Sequence, residues 1–384
     1  MKNLVVCCDG TWKKSDDKYV SNIEKIARAI DPTPDGRPAQ IVYYTAGVGT
    51  GATRFERLAG GAFGLGLDAA IIGAYRFLAL NYEPEDQIYV FGFSRGAYTA
   101  RSLVGMVDAV GLLTPDGVVK NSLSGAIWLY RHRPATGEKP SGEWSDKMNL
   151  FEPGCRQKKD VIVRFLGVFD TVGTLGVPGV SRQRYRFHNV SLTSQVVTAR
   201  HALAIHERRR AFAPAVWTTN DAATPDVKQV WFDGVHSDVG GGYEESALAD
   251  RSLVWMVAEA RTAGLIFVDK RITDLIQTTP IRLHKSLTAA YRVLNVLSGS
   301  LDSLRPSKRF GSRFRRGWRI LELEAGTYQD ADVAVDLAGE VYARLGAADH
   351  DGPLPLENVR WWIDGVGRER FVLAAGARGD SQAT

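Results

Sequence analysis

Hydrophobic residues in this chain gather into short dense runs separated by longer segments of mixed character. Leu4–Cys8, Gln40–Tyr44, Gln87–Gly92, Val161–Phe169 and Lys228–Phe232 are rich in β-branched and aromatic residues and have the length of buried strands. Between the second and third runs, Leu67, Ile71, Ala74 and Leu78, with Phe77 and Tyr82, recur at helical spacing and predict an amphipathic helix over 67–82. Residues 98–110 predict a second helix, with small residues early and Gly111 at its end. Ser252–Thr262, closed by Gly264, predicts a third. The stretch A-R-H-A-L-A-I-H-E-R-R-R at 199–210 also reads as helical. Strand–helix alternation over the first 265 residues or so is the pattern of an α/β protein with a mainly parallel sheet and helices on both faces.

Residues 114–158 break the rhythm. They are rich in Gly, Pro, Ser and charge, and are expected to form an insertion over one edge of the sheet. Beyond about residue 270 the alternation weakens, and Asp332–Leu345 is the one clear later helix. The expected organisation is a catalytic domain over 1–270 and a C-terminal extension over 271–384 packed on it, with a frayed tail after Leu373.

Composition narrows the picture only a little. The 384 residues are 45% hydrophobic and 24% charged, as in an ordinary globular protein with a large core. No window approaches the roughly eighteen uninterrupted apolar residues of a membrane span. Met1-Lys2-Asn3 runs directly into a strand-like segment without signal-peptide character, and three cysteines make no disulfide framework. A cytoplasmic protein is expected, while export by a signal-independent route stays open. No Cys/His cluster has metal-ligand spacing, so neither a metal nor another cofactor is expected.

The chemistry begins at Gly92-Phe93-Ser94-Arg95-Gly96. G-x-S-x-G alone can be a strand ending in a Gly-rich turn. Here an apolar strand precedes it and Ala97-Tyr98-Thr99-Ala100 opens a helix, which is the context of a nucleophile elbow. Gly92 and Gly96 would remove side chains where the returning helix meets the turn. A serine hydroxyl needs a base, and the base an orienting acid. Asp170 follows the strand 161–169, and His236 follows the strand 228–232 in a loop rich in glycine, so serine, acid and base succeed one another as in α/β hydrolases. Asp233 and Asp238 are the rival acids, and His188 is the serious rival base. His201 and His206 read as surface or satisfied-core histidines of a helix, and His132, His284 and His350 lie outside the βα core. The oxyanion hole is assigned to the N–H of Arg95 and to the turn at Gly10 and Thr11, with Asp9 lining the site and its carboxylate holding loop N–H groups. Asp238 also lines it. Gly47-Val48-Gly49-Thr50-Gly51 lacks a P-loop lysine and reads as a flexible lip.

Six segments together are specific: C-D-G-T-W, Y-Y-T-A-G-V-G-T-G, G-F-S-R-G-A-Y-T-A-R, G-V-F-D-T-V-G, H-A-L-A-I-H-E-R-R-R and G-V-H-S-D-V-G-G-G-Y. Over about residues 2 to 265 the chain resembles the α/β-hydrolase family related to the first class of type VI secretion lipase effectors. The resemblance implies an α/β-hydrolase fold, phospholipase chemistry on acyl esters of glycerophospholipids, and a triad of Ser94, Asp170 and His236. A secretion or delivery module is not recognisable, so an antibacterial role is not implied, and His206 stands where relatives are expected to carry an acid.

The formal net charge is only +5, yet Leu304–Arg319 carries seven Lys/Arg and no acid, interleaved with Phe310, Phe314 and Trp318. Such a stretch suits the surface of an anionic bilayer, with Arg313, Arg315, Arg316 and Trp318 as its contacts. Basic and aromatic residues also suit single-stranded nucleic acid, but no nucleic-acid-binding signature accompanies them. The reading is a serine esterase acting on an acyl ester, foremost a phospholipid. The runners-up are a soluble carboxylesterase or thioesterase and a hydrolase-fold binding scaffold, and the sequence does not give the oligomeric state. Replacing Arg313, Arg315 and Arg316 with Gln should weaken adsorption to anionic vesicles by roughly 3 kcal/mol, about a hundredfold in partitioning, in a flotation assay. Equal adsorption of variant and wild type would make the stretch a solvated loop.

Overall fold

Strand β1 (Asn3–Cys8) is buried over its whole length, and its alternate side chains enter two different cores. Leu4, Val6 and Cys8 point to one face of the sheet, and Val5 and Cys7 to the other. A strand covered on both faces needs no polar alternation, which is why it reads as a continuous apolar run. The computed structural model describes residues 1–10, 18–47, 61–134, 138–156, 160–172, 192–193, 195–209, 212, 214–217, 226–276 and 281–288, and beyond them the strand fragments 314–315, 318–319, 335–338 and 371–372.

The elements that follow β1 are α1 (Asn22–Ala29), β2 (Gln40–Thr45), α2 (Gly61–Asn81), β3 (Gln87–Phe93) and α3 (Arg95–Val110). Then come β4 (Leu112–Leu113), α4 (Pro115–Val119), α5 (Leu123–Arg131), α6 (Gly142–Phe151) and β5 (Cys155–Arg156). The chain returns to the sheet with β6 (Val163–Phe169), β7 (Val196–Ala204) and β8 (Asp226–Phe232). Helices α7 (His236–Gly240), α8 (Ala247–Thr262) and α9 (Asp269–Leu275) come next. Strands β9 (Phe314–Arg315) and β10 (Trp318–Arg319) form a small antiparallel pair of their own. Strands β11 (Val335–Ala338) and β12 (Phe371–Val372) join the main sheet.

That sheet has eight strands in the order β12-β11-β8-β7-β6-β3-β1-β2, and every pairing is parallel. All its strands therefore end at one edge, where a doubly wound sheet gathers its functional loops. Helices α2, α3 and α5 cover one face, and α1 and α8 the other. The α/β fold with a parallel sheet is as expected from the sequence.

Two readings are corrected. Residues 196–204 are a central strand, not part of a helix, although Ala, Leu and Arg favour helix there. Burial on both sides overrides that propensity. Residues 335–338, inside the helix expected over 332–345, run as a strand beside β8. The segment from 114 on packs on α2 and α3: Tyr130 donates to the Ser102 carbonyl (3.0 Å), and Arg131 pairs with Asp68 (2.7 Å).

Helix α1 escaped the sequence reading because much of its buried face is polar. Ser21 caps it by accepting the Glu24 N–H. Lys25 makes a buried ion pair with Asp250 of α8 (2.6 Å), and the Asn22 amide donates to the carbonyls of Val239 and Ala249. These contacts fasten α1 to α7 and α8, next to the loop that carries His236.

The junction of β3 and α3 is the tightest part of the fold. A methyl group on Gly96 would collide with the carbonyl oxygens of Cys8 and Asp9, and one on Gly92 would lie 2.5 Å from the Ala97 Cα. Neither obstacle is a flexible side chain. Gly96→Ala should therefore lower the free energy of unfolding by at least about 2 kcal/mol. Gly142→Ala, whose methyl enters open space at the start of α6, should change it by less than about 0.5 kcal/mol. Urea denaturation compares the two, and similar midpoints would show that the helix can back away from β1.

Candidate active site

Ser94 stands between the last residue of β3 and the first of α3, with φ 57° and ψ −120°. A non-glycine residue in this region is strained, and the strain survives because both flanking elements are buried and fixed. Its N–H donates to the Phe169 carbonyl (3.0 Å), so the elbow is tied to the last residue of β6. The turn is the strand-to-helix elbow expected from G-x-S-x-G.

The residue directly after β6 is Asp170, fully buried and also at positive φ (38°). Its N–H donates to the Ala202 carbonyl of β7 (2.7 Å). One carboxylate oxygen accepts the Ala204 N–H (3.0 Å), and the other lies 2.6 Å from Nδ1 of His236. With a carboxylate on Nδ1, that nitrogen carries the proton and Nε2 is left as the acceptor. The imidazole sits between two phenyl rings. Phe93, the neighbour of the serine, is 4.7 Å away, and Phe212 meets it edge-on at 4.9 Å. Burial pushes the pKa of His236 down against the opposing pull of Asp170, and on balance it lies below the ordinary histidine value. The structure thus brings Ser94, Asp170 and His236 to the same edge of the sheet.

Of the rival acids, Asp238 is engaged elsewhere. Asp238, in the first turn of α7, accepts the N–H groups of Val235 (2.9 Å) and His284 (3.2 Å) and pairs with the His284 ring (2.6 Å). Asp233 lies 4.0 Å from His206, whose Nδ1 accepts the Gly234 N–H. The histidine His201 is satisfied inside β7, where Nε2 accepts the Thr171 N–H (3.1 Å) and Nδ1 faces the Gln229 amide (3.2 Å). His188 lies outside the described residues, as do Thr11, residues 48–51 of the glycine-rich lip, and Arg313 and Arg316. Arg315 and Trp318 are described only as facing positions of the β9–β10 pair.

Arg95 opens α3, so its N–H lies at a helix N-terminus directly after the serine. The Gly10 N–H donates to Oδ1 of Asp9 (2.6 Å), and Oδ2 accepts the hydroxyls of Ser21 (2.6 Å) and Tyr44 (2.7 Å). Asp9 thereby joins the first turn, the cap of α1 and strand β2. Burial and this carboxylate hold the Tyr44 phenol far above its usual range.

Several residues of the site went unnoticed in the sequence. Glu207 is completely buried and accepts the His236 N–H (3.2 Å) and the Ser286 hydroxyl (2.8 Å). His284 stacks on Tyr243 (3.9 Å) and places its second ring nitrogen 3.2 Å from Glu245. Glu207 follows β7, which the sequence reading took for a helix, and the described residues around His284 form no strand, so strand-end reasoning could not reach either; the acid inside H-E-R-R-R was the available signal for Glu207. Among the described residues, no cluster of His, Cys, Asp and Glu could hold a metal ion, and no helix is long and apolar enough to cross a membrane.

The chain is similar to several known proteins. An uncharacterized protein of Saccharomyces cerevisiae is 30% identical over 234 residues, 56% of this chain and 33% of its own, so the chain spans about a third of the curated relative it matches. A solved structure of an uncharacterized protein from Pseudomonas aeruginosa is 18% identical with a TM-score of 0.43, covering 71% of this chain and 47% of that one. The Tle1 effector, solved bound to the VgrG spike of the type 6 secretion system, is 15% identical with a TM-score of 0.44, covering 80% of this chain and 81% of that one. The family described as "T6SS, Phospholipase effector Tle1-like, catalytic domain" matches residues 2–259, which include β1 to β8 and every residue proposed for the triad. The chain belongs to this family of Tle1-like phospholipase effector catalytic domains.

Proposed function

We propose that the chain is a serine ester hydrolase of phospholipase type, with Ser94 as nucleophile, His236 as general base and Asp170 as the acid that orients it. The observation that carries this reading is the 2.6 Å contact between Asp170 and Nδ1 of His236, beside a serine held at an elbow. The Ser94 hydroxyl gives its proton to Nε2 of His236 as its oxygen attacks the ester carbonyl. Asp170 accepts the Nδ1–H throughout and stabilises the imidazolium. The N–H of Arg95 receives the oxyanion; the Gly10 N–H, also expected to do so from the sequence, is held by the Asp9 carboxylate, so the second donor is assigned to Thr11 alone. Collapse expels the alcohol, which takes its proton from His236, and water then cleaves the acyl-enzyme by the same relay. The family match supports an acyl ester of a phospholipid as the substrate class. The catalytic unit is taken as residues 1–270.

Because His236 acts as a base only when neutral, activity falls as pH drops through its pKa. Burial lowers that pKa, so the acid limb of kcat/KM is expected below about 6.5, the ordinary histidine value. Ser94→Ala should abolish hydrolysis of p-nitrophenyl esters and phospholipid vesicles and also labelling by a fluorophosphonate. Asp170→Asn should cost on the order of 10⁴ in kcat, and Asp233→Asn far less. A wild-type protein that neither hydrolyses nor labels sinks the serine-hydrolase reading, and a tolerated Asp170→Asn sinks the choice of acid.

A further inference from the structure

The carboxylate of Glu207 is surrounded by donors from three parts of the chain. One oxygen accepts the backbone N–H of His236 (3.2 Å) and Nη2 of Arg209 (2.8 Å). The other accepts the backbone N–H of Arg209 (2.8 Å), its Nε (2.9 Å) and the hydroxyl of Ser286 (2.8 Å). Arg209 in turn lies flat on Phe212, with its guanidinium carbon 3.6 Å from the ring centroid, and Phe212 meets the edge of the His236 imidazole. One buried acid therefore touches the backbone of His236 directly and reaches its ring through Arg209 and Phe212.

We propose that Glu207 is a positioning residue for His236: it fixes the histidine backbone, orders the Arg209–Phe212 wall beside the imidazole, and fastens the segment 281–288 over the histidine loop. This rests on His236 being the base of the reaction proposed above. Two physical effects follow from the geometry. Small displacements of a general base cost large factors in rate, so a fixed backbone at His236 bears on kcat rather than on substrate binding. The charges of Glu207 and Arg209 also act on the imidazolium with opposite signs, Glu207 favouring it and Arg209 opposing it. Among the described residues, the remaining charged group acting on His236 is Asp170 at the end of β6. On its own helix Asp238 is turned toward His284, and the His206–Asp233 pair lies at the base of the same loop.

The test uses the full chain and three variants, Glu207→Gln, Glu207→Asp and Arg209→Gln. It reads kcat and KM on a soluble p-nitrophenyl ester across pH, together with the titration of the His236 imidazole by NMR. Glu207→Gln should lower kcat roughly ten- to hundredfold with little change in KM. It should move the acid limb and the imidazole titration to lower pH, because a negative charge is lost beside the imidazolium. Arg209→Gln should move the titration the other way, and Glu207→Asp should recover the wild-type titration at least in part. A merely structural role predicts no such opposite shifts. An unshifted imidazole in Glu207→Gln with wild-type kcat overturns the proposal. If Glu207→Gln does not fold, Arg209→Gln decides, and the absence of an upward shift there overturns it. Failure of the hydrolase reading is recognised separately, by a wild type that is neither active nor labelled at Ser94, and the NMR titration still judges Glu207 in that case.

Discussion

A carboxylate withdrawn completely from water is tolerable only when both oxygens are matched, and the site is arranged around meeting that condition for Asp170. One oxygen takes the backbone N–H of Ala204, and the other faces His236. The first partner exists only because β7 runs parallel to β6 in the register that sets Phe169 beside Ala202. The second exists only because β8 pairs with β7 so that Phe232 ends beside Ala204, which delivers the loop of His236 to the same edge. A register slip in either pair would leave a buried charge without a partner, at a cost of several kcal/mol. Strand pairing and acid–base geometry are therefore one constraint, and the serine is bound into it through its N–H bond to Phe169.

The parts of this arrangement that could be read from the sequence are those built from apolar strands. β1, β3, β6 and β8 each announce themselves by a hydrophobic run, and Ser94, Asp170 and His236 each follow one, so their shared edge could be expected. β7 could not be expected. Its interior carries Arg200 and His201, and both are matched by residues far away in the chain. Arg200 pairs with Asp226 and Glu259 at 2.6 Å each, and His201 bridges Thr171 and Gln229. Local propensity sees Ala, Leu and Arg and predicts a helix, while the partners that make a polar central strand affordable appear only in three dimensions. Helix α1 was hidden for the same reason, since Asn22 and Lys25 point inward to partners on α7 and α8.

The two rival acids near His236 show why sequence proximity is a poor guide to an acid's role. Asp238 is only two residues from the histidine, yet a helical turn directs its carboxylate back to the Val235 N–H and outward to His284. Burial raises its pKa while its hydrogen bonds pull the other way, as for a carboxylate serving loop structure. Asp170 lies far away in sequence and approaches from another strand, which leaves it free to meet Nδ1 of the imidazole from the side opposite Nε2. An acid within the histidine's own short helix would have to bend the backbone to do the same.

The same loop is held from outside by residues beyond 270. Ser286 donates to Glu207, and His284 lies between Asp238 and Glu245 while stacking on Tyr243. Arg282 closes the set by pairing with Glu245 (2.6 Å). Each bond alone is worth about 1 kcal/mol or less in net stability, more where a charge is buried. Their importance lies in where they act. The described residues of 281–288 lie outside the two apolar clusters that flank the sheet and meet the histidine loop through these polar contacts. Through Glu207 and Asp238, each of which also holds the backbone of the turn that carries His236, these contacts couple the segment to that turn.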